Sequence, residues 1–336
     1  MSNSLSIVIP VYNEATSLPT TMASLVEAVA PSGFEVELVV VDDGSTDGSA
    51  EIAEEMLAGR LPLRVVRQEN SGRFEARRAG LEVANGEWVL LLDARVRLRP
   101  RSLEWVRTRL LAGEQVWNGH VYFDVDSNPF GAFSNVLVEL AWREYFDDPR
   151  TTSFGPDRFD RYPKGTTCFL APRDVLLRGA YEFRSSYADS RFGNDDTPLI
   201  RWISSHHPIH LSPSFSCDYT PRASLGSFLR HSFHRGTVFV DGHGRSESRY
   251  YLAVLAFFPV SAGLAVLALR RPLLVPLLAA TGGAVGTSLA VRGGRTRFEA
   301  GSFAALLPVY AVAHGAGMWR GLAMMIFGRL GRSCRV

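Results

Sequence analysis

Hydrophobic and polar positions alternate in blocks over the first hundred residues. Short apolar runs with many β-branched side chains predict buried strands at residues 6–11, 36–41, 63–66 and 88–92. Between them, apolar side chains recur at helical spacing in residues 18–29, 47–57 and 72–83. Continuous apolar strands between helices are typical of a parallel sheet covered on both faces. The pattern therefore predicts an α/β fold with a Rossmann-like, mostly parallel, doubly wound sheet.

The pattern becomes less regular after residue 98. Strands are predicted at residues 116–125 and 164–170, and helices at residues 133–145 and 195–203. We expect residues 1–240 to form one domain, with a regular half at residues 1–98 and a less regular half at residues 99–240.

The tail changes in character. Residues 250–269 and 272–291 are uncharged stretches, and a helix of this length spans about 30 Å. Residues 303–318 are a weaker third candidate. Buried core helices are the alternative, but two adjacent uncharged stretches favour the bilayer. We predict a membrane region at residues 250–330 with two to three transmembrane helices.

The arginines of the tail leave the topology open. Three spans would put Arg329, Arg332 and Arg335 across the membrane from the N-terminal domain, against the tendency of basic residues to stay on the cytoplasmic side. The alternative is that one segment is re-entrant or interfacial. Arginines lie in every loop, so charge does not decide between these topologies.

Composition and cysteine usage narrow the function classes. The formal net charge of +2 is small for a chain of 336 residues, which argues against a nucleic-acid partner. Cys168, Cys217 and Cys334 form no CxxC pair, which fits a reducing compartment rather than a disulfide framework. The first apolar run lacks the basic start of a signal peptide. We therefore expect the N-terminal domain in the cytoplasm.

Polar motifs follow the predicted strands, where ligands bind on parallel sheets. They are SIVIPVYNE at residues 6–14, VDDGSTDG at residues 41–48 and LLDA at residues 91–94. As a set they resemble family 2 glycosyltransferases of the GT-A fold over roughly residues 4–240. The resemblance implies an enzyme of the hexosyltransferase type that binds a nucleotide sugar. Residues 1–98 would then be the nucleotide-binding half, and residues 99–240 the acceptor-side half.

The first two motifs offer partners for the nucleotide. Pro10 and Tyr12, at a strand end, can wall a slot for the base. The resemblance assigns the base contact to Asp43 and puts Glu14 near the ribose. Residues 42–47 would equally serve as a turn followed by a helix cap.

The third motif departs from the family pattern. The family has an acid-x-acid motif that holds a divalent metal, Mg²⁺ or Mn²⁺, on the donor diphosphate, whereas this chain has Asp93-Ala94-Arg95. One hypothesis is that Arg95 binds phosphate and replaces part of the metal's charge. The second is that Asp93 still holds a metal together with water and phosphate oxygens. The third is that Arg95 is a solvated loop residue and the site is inactive.

The fourth motif is a pair of acids. The sequence NDDT at residues 194–197 resembles the acid pair that supplies the family's general base, which assigns that role to Asp196 with Asp195 beside it. A carboxylate is needed to take the proton of the attacking acceptor hydroxyl. Adjacent acids at a helix start are also ordinary capping residues. Arg77, in the helix at residues 72–83, is a candidate for the donor diphosphate.

Motifs in the second half resemble a narrower branch. They are YTPR at residues 219–222, LRHSFHRG at residues 229–236 and HGAG at residues 314–317. They resemble the branch of succinoglycan-type exopolysaccharide synthesis with C-terminal membrane spans. The acceptor or interfacial candidates are Arg230, His231, His234 and Arg235. A basic helix beside anionic lipid explains these side chains equally well.

These observations predict a membrane-anchored inverting glycosyltransferase. Its donor would be a nucleoside diphosphate sugar, with UDP as the expected carrier, and its acceptor a lipid-linked sugar or glycan. It would act in envelope or exopolysaccharide synthesis at the inner membrane, with the catalytic domain in the cytoplasm. The alternatives are a polyprenyl-phosphate glycosyl synthase and a non-catalytic membrane scaffold with a decayed transferase domain.

Overall fold

A computed structural model describes residues 3–333, with side chains up to residue 327. The earlier predictions on Cys334, Arg335 and the side chains of Arg329 and Arg332 lie outside this range. The chain forms two compact units. The first unit contains the chain up to Tyr122, Glu144–Arg184 and Asp195–Thr220, and the second contains Phe123–Arg143, Ser185–Asn194 and the chain from Pro221 onward. The functional division into residues 1–240 and 250–330 stays a prediction.

One sheet organises the first unit. Among residues 3–333 it has nine strands: β1 (Ser4–Val11), β2 (Glu35–Asp42), β3 (Leu63–Arg67), β4 (Trp88–Leu92), β5 (Val96–Leu98), β6 (Trp117–Phe123), β7 (Thr152–Phe154), β8 (Cys168–Pro172) and β9 (Ile209–Tyr219). The order is β3-β2-β1-β4-β8-β6-β9-β5, with β7 paired to β9. The predicted α/β fold with a Rossmann-like sheet is confirmed.

The strand directions change at β4. Strands β1 to β4 pair in parallel, as their apolar runs predict. Strand β8 then pairs with β4 in the antiparallel direction, and β5 and β7 do the same with β9. The observed sheet is therefore mixed rather than mostly parallel. The directions of β5 to β9 depend on partners distant in sequence, which periodicity does not reveal.

Helices cover the sheet of the first unit. They are α1 (Leu18–Val29), α2 (Ser49–Leu57), α3 (Arg73–Val83), α4 (Ser102–Leu111), α6 (Arg143–Phe146), α7 (Arg173–Glu182) and α8 (Thr197–Ser204). Side chains of β1 alternate between two apolar clusters: Ile7 and Ile9 join one, and Val8 the other. Both faces of the sheet are therefore buried, which explains the uninterrupted apolar runs.

Three elements begin or end at other residues than the sequence predicts. The helix predicted at residues 133–145 begins at Pro129, because Asn128 caps it by accepting from the amides of Phe130 and Gly131. The strand predicted at residues 164–170 runs over Cys168–Pro172, after a 3-10 helix at Pro156–Arg161. The helix predicted at residues 195–203 begins at Thr197, so both acids precede it.

The second unit is helical. Its helices are α5 (Pro129–Ala141), α9 (Leu225–His243), α10 (Tyr251–Arg270), α11 (Leu274–Arg292) and α12 (Arg297–Ser333). Among the described residues, the helices long and apolar enough to cross a membrane are Tyr251–Arg270, Leu274–Arg292 and Arg297–Phe327. Tyr250 and Phe239 lie beside one another where α10 meets α9.

Helices α9 and α12 touch through backbone at two glycines. A Cβ added at Gly236 would collide with the carbonyl of His314, and one added at Gly317 would collide with the carbonyl of Phe233. The hydroxyl of Thr237 also donates to the Gly317 carbonyl at 3.2 Å. Only glycine permits such an approach, which gives the HGAG motif a packing role.

Alanine at Gly317 should therefore destabilise the protein. We expect Gly317→Ala to lower the free energy of unfolding by about 1–3 kcal/mol, the usual cost of overpacking. Gly301, on the same helix, is the matched control, because among the described residues its Cβ would meet open space. Gly301→Ala should gain about 0.5–1 kcal/mol of helix propensity. Thermal unfolding in detergent measures both, and equal effects would contradict the packing role.

Candidate active site

The loops that follow β1 and β2 are joined by hydrogen bonds. The Asn13 carboxamide oxygen accepts from the Thr46 amide at 2.9 Å, and the Asn13 amide donates to the Ser45 hydroxyl at 3.0 Å. The Glu14 amide donates to the Ser49 hydroxyl at 2.9 Å. These bonds hold the SIVIPVYNE and VDDGSTDG motifs together at the carboxyl edge of the sheet, before any ligand arrives.

Pro10 and Tyr12 differ in exposure at this edge. Pro10 is buried and opposite Val41 in the parallel ladder, whereas Tyr12 is half exposed. Tyr12 therefore has a free ring surface for a flat ligand. Pro10 would therefore contribute to the floor of the predicted slot for the base rather than to an exposed wall.

Asp43 is buried and already extensively hydrogen-bonded. Its Oδ1 accepts from Gln68 Nε2 at 2.7 Å and from the Ser71 amide at 2.8 Å, and its Oδ2 accepts from the Gly72 amide at 2.8 Å. A carboxylate has about four acceptor positions, so one remains, on Oδ2. Sequence reasoning missed Gln68 and Ser71; their place between β3 and α3, at the same edge of the sheet, was the available signal.

Arg95 and Glu14 form a two-point ion pair. Arg95 Nε donates to Glu14 Oε1 at 2.9 Å, and Arg95 Nη2 lies 2.8 Å from Glu14 Oε2. The Ser17 hydroxyl donates to the same carboxylate at 2.7 Å. Because the Arg95 side chain is largely buried and paired, it is not the solvated loop residue of the third hypothesis. A diphosphate would have to share Arg95 with Glu14 or displace Glu14.

Arg77 joins two acids that are far apart in sequence. Its Nη2 lies 2.7 Å from Asp93 Oδ1, its Nη1 contacts Asp195 Oδ2, and only 4% of its side chain is exposed. Arg73 Nε lies 3.7 Å from Asp195 Oδ2 and is half exposed. Helix α3 thus inserts a guanidinium between the third and fourth motifs. Helix α3 lies close against strand β1, because Gly80 packs directly against Val8. This close packing brings Arg77 near the end of the sheet.

The two adjacent acids titrate in opposite directions. Burial alone would raise the pKa of Asp195, but the charges of Arg73 and Arg77 outweigh it and lower that pKa to about 2. Burial and the neighbouring Asp195 charge together raise the pKa of Asp196 above its ordinary value. The Thr197 hydroxyl donates to Asp196 Oδ1 at 3.1 Å. Environments that separate the pKa values of paired carboxyls are typical of acid–base sites.

A glycine lies beside Asp196. A Cβ at Gly165 would lie 3.6 Å from Asp196 Oδ2. The Gly165 amide donates to the buried Asn118 side chain at 3.1 Å, which fixes this turn. Asp196 Oδ2 therefore has a residue without a side chain beside it.

The residues at Asp93 do not form a metal cage. Among residues 3–333, no group of three or more histidine, cysteine, aspartate or glutamate side chains is placed to hold a metal. Oδ1 of Asp93 is engaged by Arg77, and Arg95 stands where a second acid would be needed. This donor set does not fit a metal held by protein ligands alone.

The remaining candidates lie on another element. Arg230, His231, His234 and Arg235 belong to α9 of the second unit, where Arg230 is exposed and the other three are half-buried. The first unit thus brings together the candidates from the four motifs, from Pro10 to Asp196. The roles assigned to all of these residues stay predictions.

Comparison with known sequences agrees with the motifs. Residues 6–170 match the family model described as Glycosyl transferase family 2. An uncharacterized glycosyltransferase of Escherichia coli, YibD, is 36% identical over 110 residues, which is 33% of this chain and 31% of that protein. The undecaprenyl-phosphate 4-deoxy-4-formamido-L-arabinose transferase of Pseudomonas fluorescens is 39% identical over 101 residues, 30% of each chain. The chain thus spans about a third of the length of these relatives.

Solved structures share the fold. The mannosyltransferase PcManGT from Pyrobaculum calidifontis, in complex with GDP-Man and Mn²⁺, superposes with a TM-score of 0.59 at 17% identity, over 94% of this chain and 86% of that one. Residues 1–349 of TarS from S. aureus, in complex with UDP-GlcNAc, give 0.53 at 16% identity, over 98% and 92%. At these identities the likeness concerns the fold alone.

Proposed function

We propose that this chain, whose residues 6–170 form a family 2 glycosyltransferase domain, transfers a sugar from a nucleoside diphosphate to an acceptor hydroxyl. The observation that carries the proposal is the separation of the two acids in the NDDT motif. Asp195 is held ionised by Arg77 and Arg73, whereas the pKa of Asp196 is raised by burial and by Asp195. A carboxylate with a raised pKa is a stronger base, which is what the acceptor requires.

The proposed step is a single displacement. As the acceptor oxygen forms its bond to the anomeric carbon, Asp196 takes the hydroxyl proton. The bond from the anomeric carbon to the phosphate oxygen breaks, and the electron pair leaves with the nucleoside diphosphate. Attack from the face opposite the leaving group inverts the configuration. The glycine at residue 165, which places no side chain beside Asp196 Oδ2, is consistent with an approach there.

Arginine charge would neutralise the leaving diphosphate. Arg77 forms ion pairs with Asp93 and Asp195, whereas Arg95 forms its ion pair with Glu14. Arg95 is therefore the arginine that we expect to change partner when the donor binds. Exchange of a carboxylate for a phosphate preserves the two-point geometry of the guanidinium. Asp93 together with Mg²⁺ or Mn²⁺ remains the competing hypothesis, since PcManGT was solved with Mn²⁺.

The donor base would bind at Asp43. One acceptor position remains on its Oδ2, which suits a single ring N–H such as that of uracil. Guanine presents two adjacent donors and would need two acceptor positions. This supports UDP as the carrier, while Tyr12 offers a face for stacking.

The acceptor would be a lipid-linked sugar or glycan at a membrane. The apolar helices α10 and α11 support attachment to a bilayer, and the relatives named undecaprenyl-phosphate transferases support a lipid-linked acceptor. The proposed setting is envelope or exopolysaccharide synthesis, as in the succinoglycan branch, on the cytoplasmic side of the inner membrane. Arg230, His231, His234 and Arg235 on α9 are the proposed contacts to the acceptor phosphate.

A second candidate function is a polyprenyl-phosphate glycosyl synthase, which the names of those relatives favour. Its acceptor is a lipid phosphate, which is ionised and needs no base. Transfer by such an enzyme would survive Asp196→Asn. The same variant therefore separates the two candidates.

A thermal-shift panel tests whether the chain binds a nucleotide and whether that binding needs a divalent metal. UDP, GDP, dTDP and CMP are each added with Mn²⁺ or with a chelator. We expect UDP at about 100 times its dissociation constant to stabilise the chain by ~2.7 kcal/mol. If Arg95 supplies the charge, the shift persists in chelator. If Asp93 holds a metal, the shift needs Mn²⁺.

Two variants make the panel specific to the predicted base site. Asp43→Asn should lose the UDP shift, because one carboxylate oxygen becomes a donor. Asp174→Asn, an exposed acid on α7, is the control and should keep it. Absence of a shift with all four nucleotides in both buffers would refute nucleotide binding and leave the scaffold alternative.

A further inference from the structure

Helix α3 presents two arginines to the acids of the site, and the two differ in exposure. Arg73 and Arg77 stand at positions i and i+4, so they lie on one face of the helix. Arg77 is almost fully buried and forms ion pairs with Asp93 and Asp195, whereas half of the Arg73 side chain is exposed. Arg73 is therefore the arginine on this face of α3 that a ligand can reach from solvent.

Arg73 lies beside acids without a hydrogen bond to any of them. Its Nε is 3.7 Å from Asp195 Oδ2, which is longer than a hydrogen bond. Within the part of the chain that the structure describes, its guanidinium donates no hydrogen bond. The charge of Asp195 raises the pKa of Arg73 most, and the charges of Asp93 and Asp196 raise it further. A protonated guanidinium with unused donors thus stands next to the acids of the third and fourth motifs.

An exposed arginine on a helix is ordinarily a solvated charge that pairs with its own helix. Arg78 of α3 is of this kind, because its partners are Glu75 and Glu82 on the same helix. Arg73 instead pairs with Asp195, which is distant in sequence. It is also the first residue of α3, where the helix dipole disfavours a cation. The stability of the helix therefore does not explain an arginine at this position.

Arg73 connects the predicted base site to the acid pair. The Gly72 amide donates to Asp43 Oδ2 at 2.8 Å, and Arg73 is the next residue. Its side chain then reaches Asp195, the neighbour of the proposed base Asp196. In a nucleotide sugar, the diphosphate lies between the nucleoside and the anomeric carbon. Arg73 covers the same interval, from the predicted nucleoside contact to the acids where transfer is proposed.

The existing partners of the arginines decide which of them can turn to a phosphate most readily. Arg95 would have to exchange two contacts with Glu14, of 2.9 and 2.8 Å, and Arg77 is buried between its two carboxylates. Arg73 would give up a single contact of 3.7 Å with Asp195. Ion pairs of half-exposed side chains are weak. Among these three arginines, Arg73 therefore loses the least when it turns to a phosphate.

We propose that Arg73 binds the diphosphate of the nucleotide donor, in addition to Arg95, and that its guanidinium moves from Asp195 to the phosphate oxygens when the donor binds. The inference rests on the proposed transfer from a nucleoside diphosphate. A guanidinium can hold two phosphate oxygens at once, and half of this side chain is already exposed to the ligand.

The same movement connects donor binding to the general base. Burial and the charge of Asp195 raise the pKa of Asp196, whereas the charges of Arg77 and Arg73 oppose that rise. A phosphate that neutralises Arg73 removes part of this opposition. Asp196 then becomes a stronger base when the donor is in place, which is when the acceptor proton has to be taken.

Comparing a nucleoside with its diphosphate separates a phosphate contact from a structural role. Ligand-observed NMR titrations of the detergent-purified full chain, in buffer with Mg²⁺, use uridine and UDP, with guanosine and GDP in parallel. We expect Arg73→Met to weaken the binding of the diphosphate about tenfold, the value of one hydrogen bond to a charged group. Binding of the nucleoside should be unchanged. Arg73→Lys keeps the charge but not the two-point geometry, so it should recover part of the loss.

Arg78→Met is the matched control. Arg78 lies on the same helix with similar exposure, and its partners are Glu75 and Glu82, so its replacement should leave both affinities unchanged. Salt gives a second measurement. The affinity for UDP should fall more steeply with ionic strength in the unmodified chain than in Arg73→Met, because an exposed charge contact is screened.

Four results would overturn the proposal. They are unchanged diphosphate binding in Arg73→Met, equal weakening of nucleoside and diphosphate, equal weakening in Arg78→Met, and the same salt dependence with and without Arg73. The second of these would mean that Arg73 only shapes the loop at Gly72. An unmodified chain that binds neither UDP nor GDP would instead refute the proposed transfer, and this contact with it.

Discussion

Replacing Asp196 by asparagine is expected to lower turnover by about 10²–10⁴-fold, the usual contribution of a positioned general base. Asparagine keeps the shape and the contact with Thr197 but cannot take the acceptor proton. Nucleotide binding should be unchanged, because the proposed contact to the nucleobase is made by Asp43 and not by Asp196. Transfer of radiolabelled sugar to a lipid fraction measures the first effect, and the UDP thermal shift measures the second.

Stability should move in the opposite direction to activity. The pKa of Asp196 is raised in the folded chain, so its ionised form opposes folding above that pKa, and the cost fades as pH falls. Asp196→Asn removes the charge and should keep or raise the melting temperature at pH 7. A loss of activity with a retained or higher melting temperature is a result that misfolding does not produce.

The pH profile provides the third readout. In the unmodified chain, kcat/KM should fall on the acid side as Asp196 becomes protonated, at a higher pH than for an ordinary aspartate. Asp174→Asn, on the exposed face of α7, should leave the profile unchanged. Full activity in Asp196→Asn would instead favour the polyprenyl-phosphate synthase, and loss of the UDP shift would point to a structural role.

Local patterns were sufficient for the first half of the fold. Strands β1, β2 and β4 bury residues on both faces, so their apolar runs stood out, whereas the edge strand β3 was predicted as buried and is partly exposed. Helix α1 was predicted at its observed bounds, Leu18–Val29. Strand β8 illustrates the limit. Its partner β4 lies 75 or more residues away along the chain, and the antiparallel direction leaves no mark in periodicity. Helix α5 was misplaced because its start depends on the Asn128 cap.

Candidate site residues could be chosen from the sequence, and their roles stay predictions, but their contacts with one another could not be predicted. Motif order made Asp43, Asp93, Asp195 and Asp196 candidates, because each follows a strand or precedes a helix. The pairing of Arg95 with Glu14 was not predicted. Long arginine side chains can reach several partners, and only the tertiary structure selects among them. For the same reason, Arg77 was assigned to phosphate, whereas the structure gives it two carboxylates.

Arg77 is the residue whose loss should cost the most stability. Replacing it by methionine removes the guanidinium and leaves Asp93 and Asp195 without their buried cation. Breaking a buried pair by removing one partner costs about 3–5 kcal/mol, because the remaining charge stays desolvated. Urea unfolding at pH 7 measures this effect. Arg78→Met is the matched control; its exposed pairs with Glu75 and Glu82 are worth about 0–1 kcal/mol.

The pH dependence of this effect follows from Asp195. The charges of Arg73 and Arg77 together lower its pKa to about 2 in the folded chain, so its ion pairs stabilise the fold above pH ~4, and the share that Arg77 contributes is lost as pH falls toward 2. The difference between Arg77→Met and the unmodified chain should therefore be largest near neutral pH and shrink in acid. Adding Asp195→Asn to Arg77→Met should recover part of the loss, since it removes the stranded charge. An equal loss at every pH, without recovery in the double variant, would mean that Arg77 acts through packing alone.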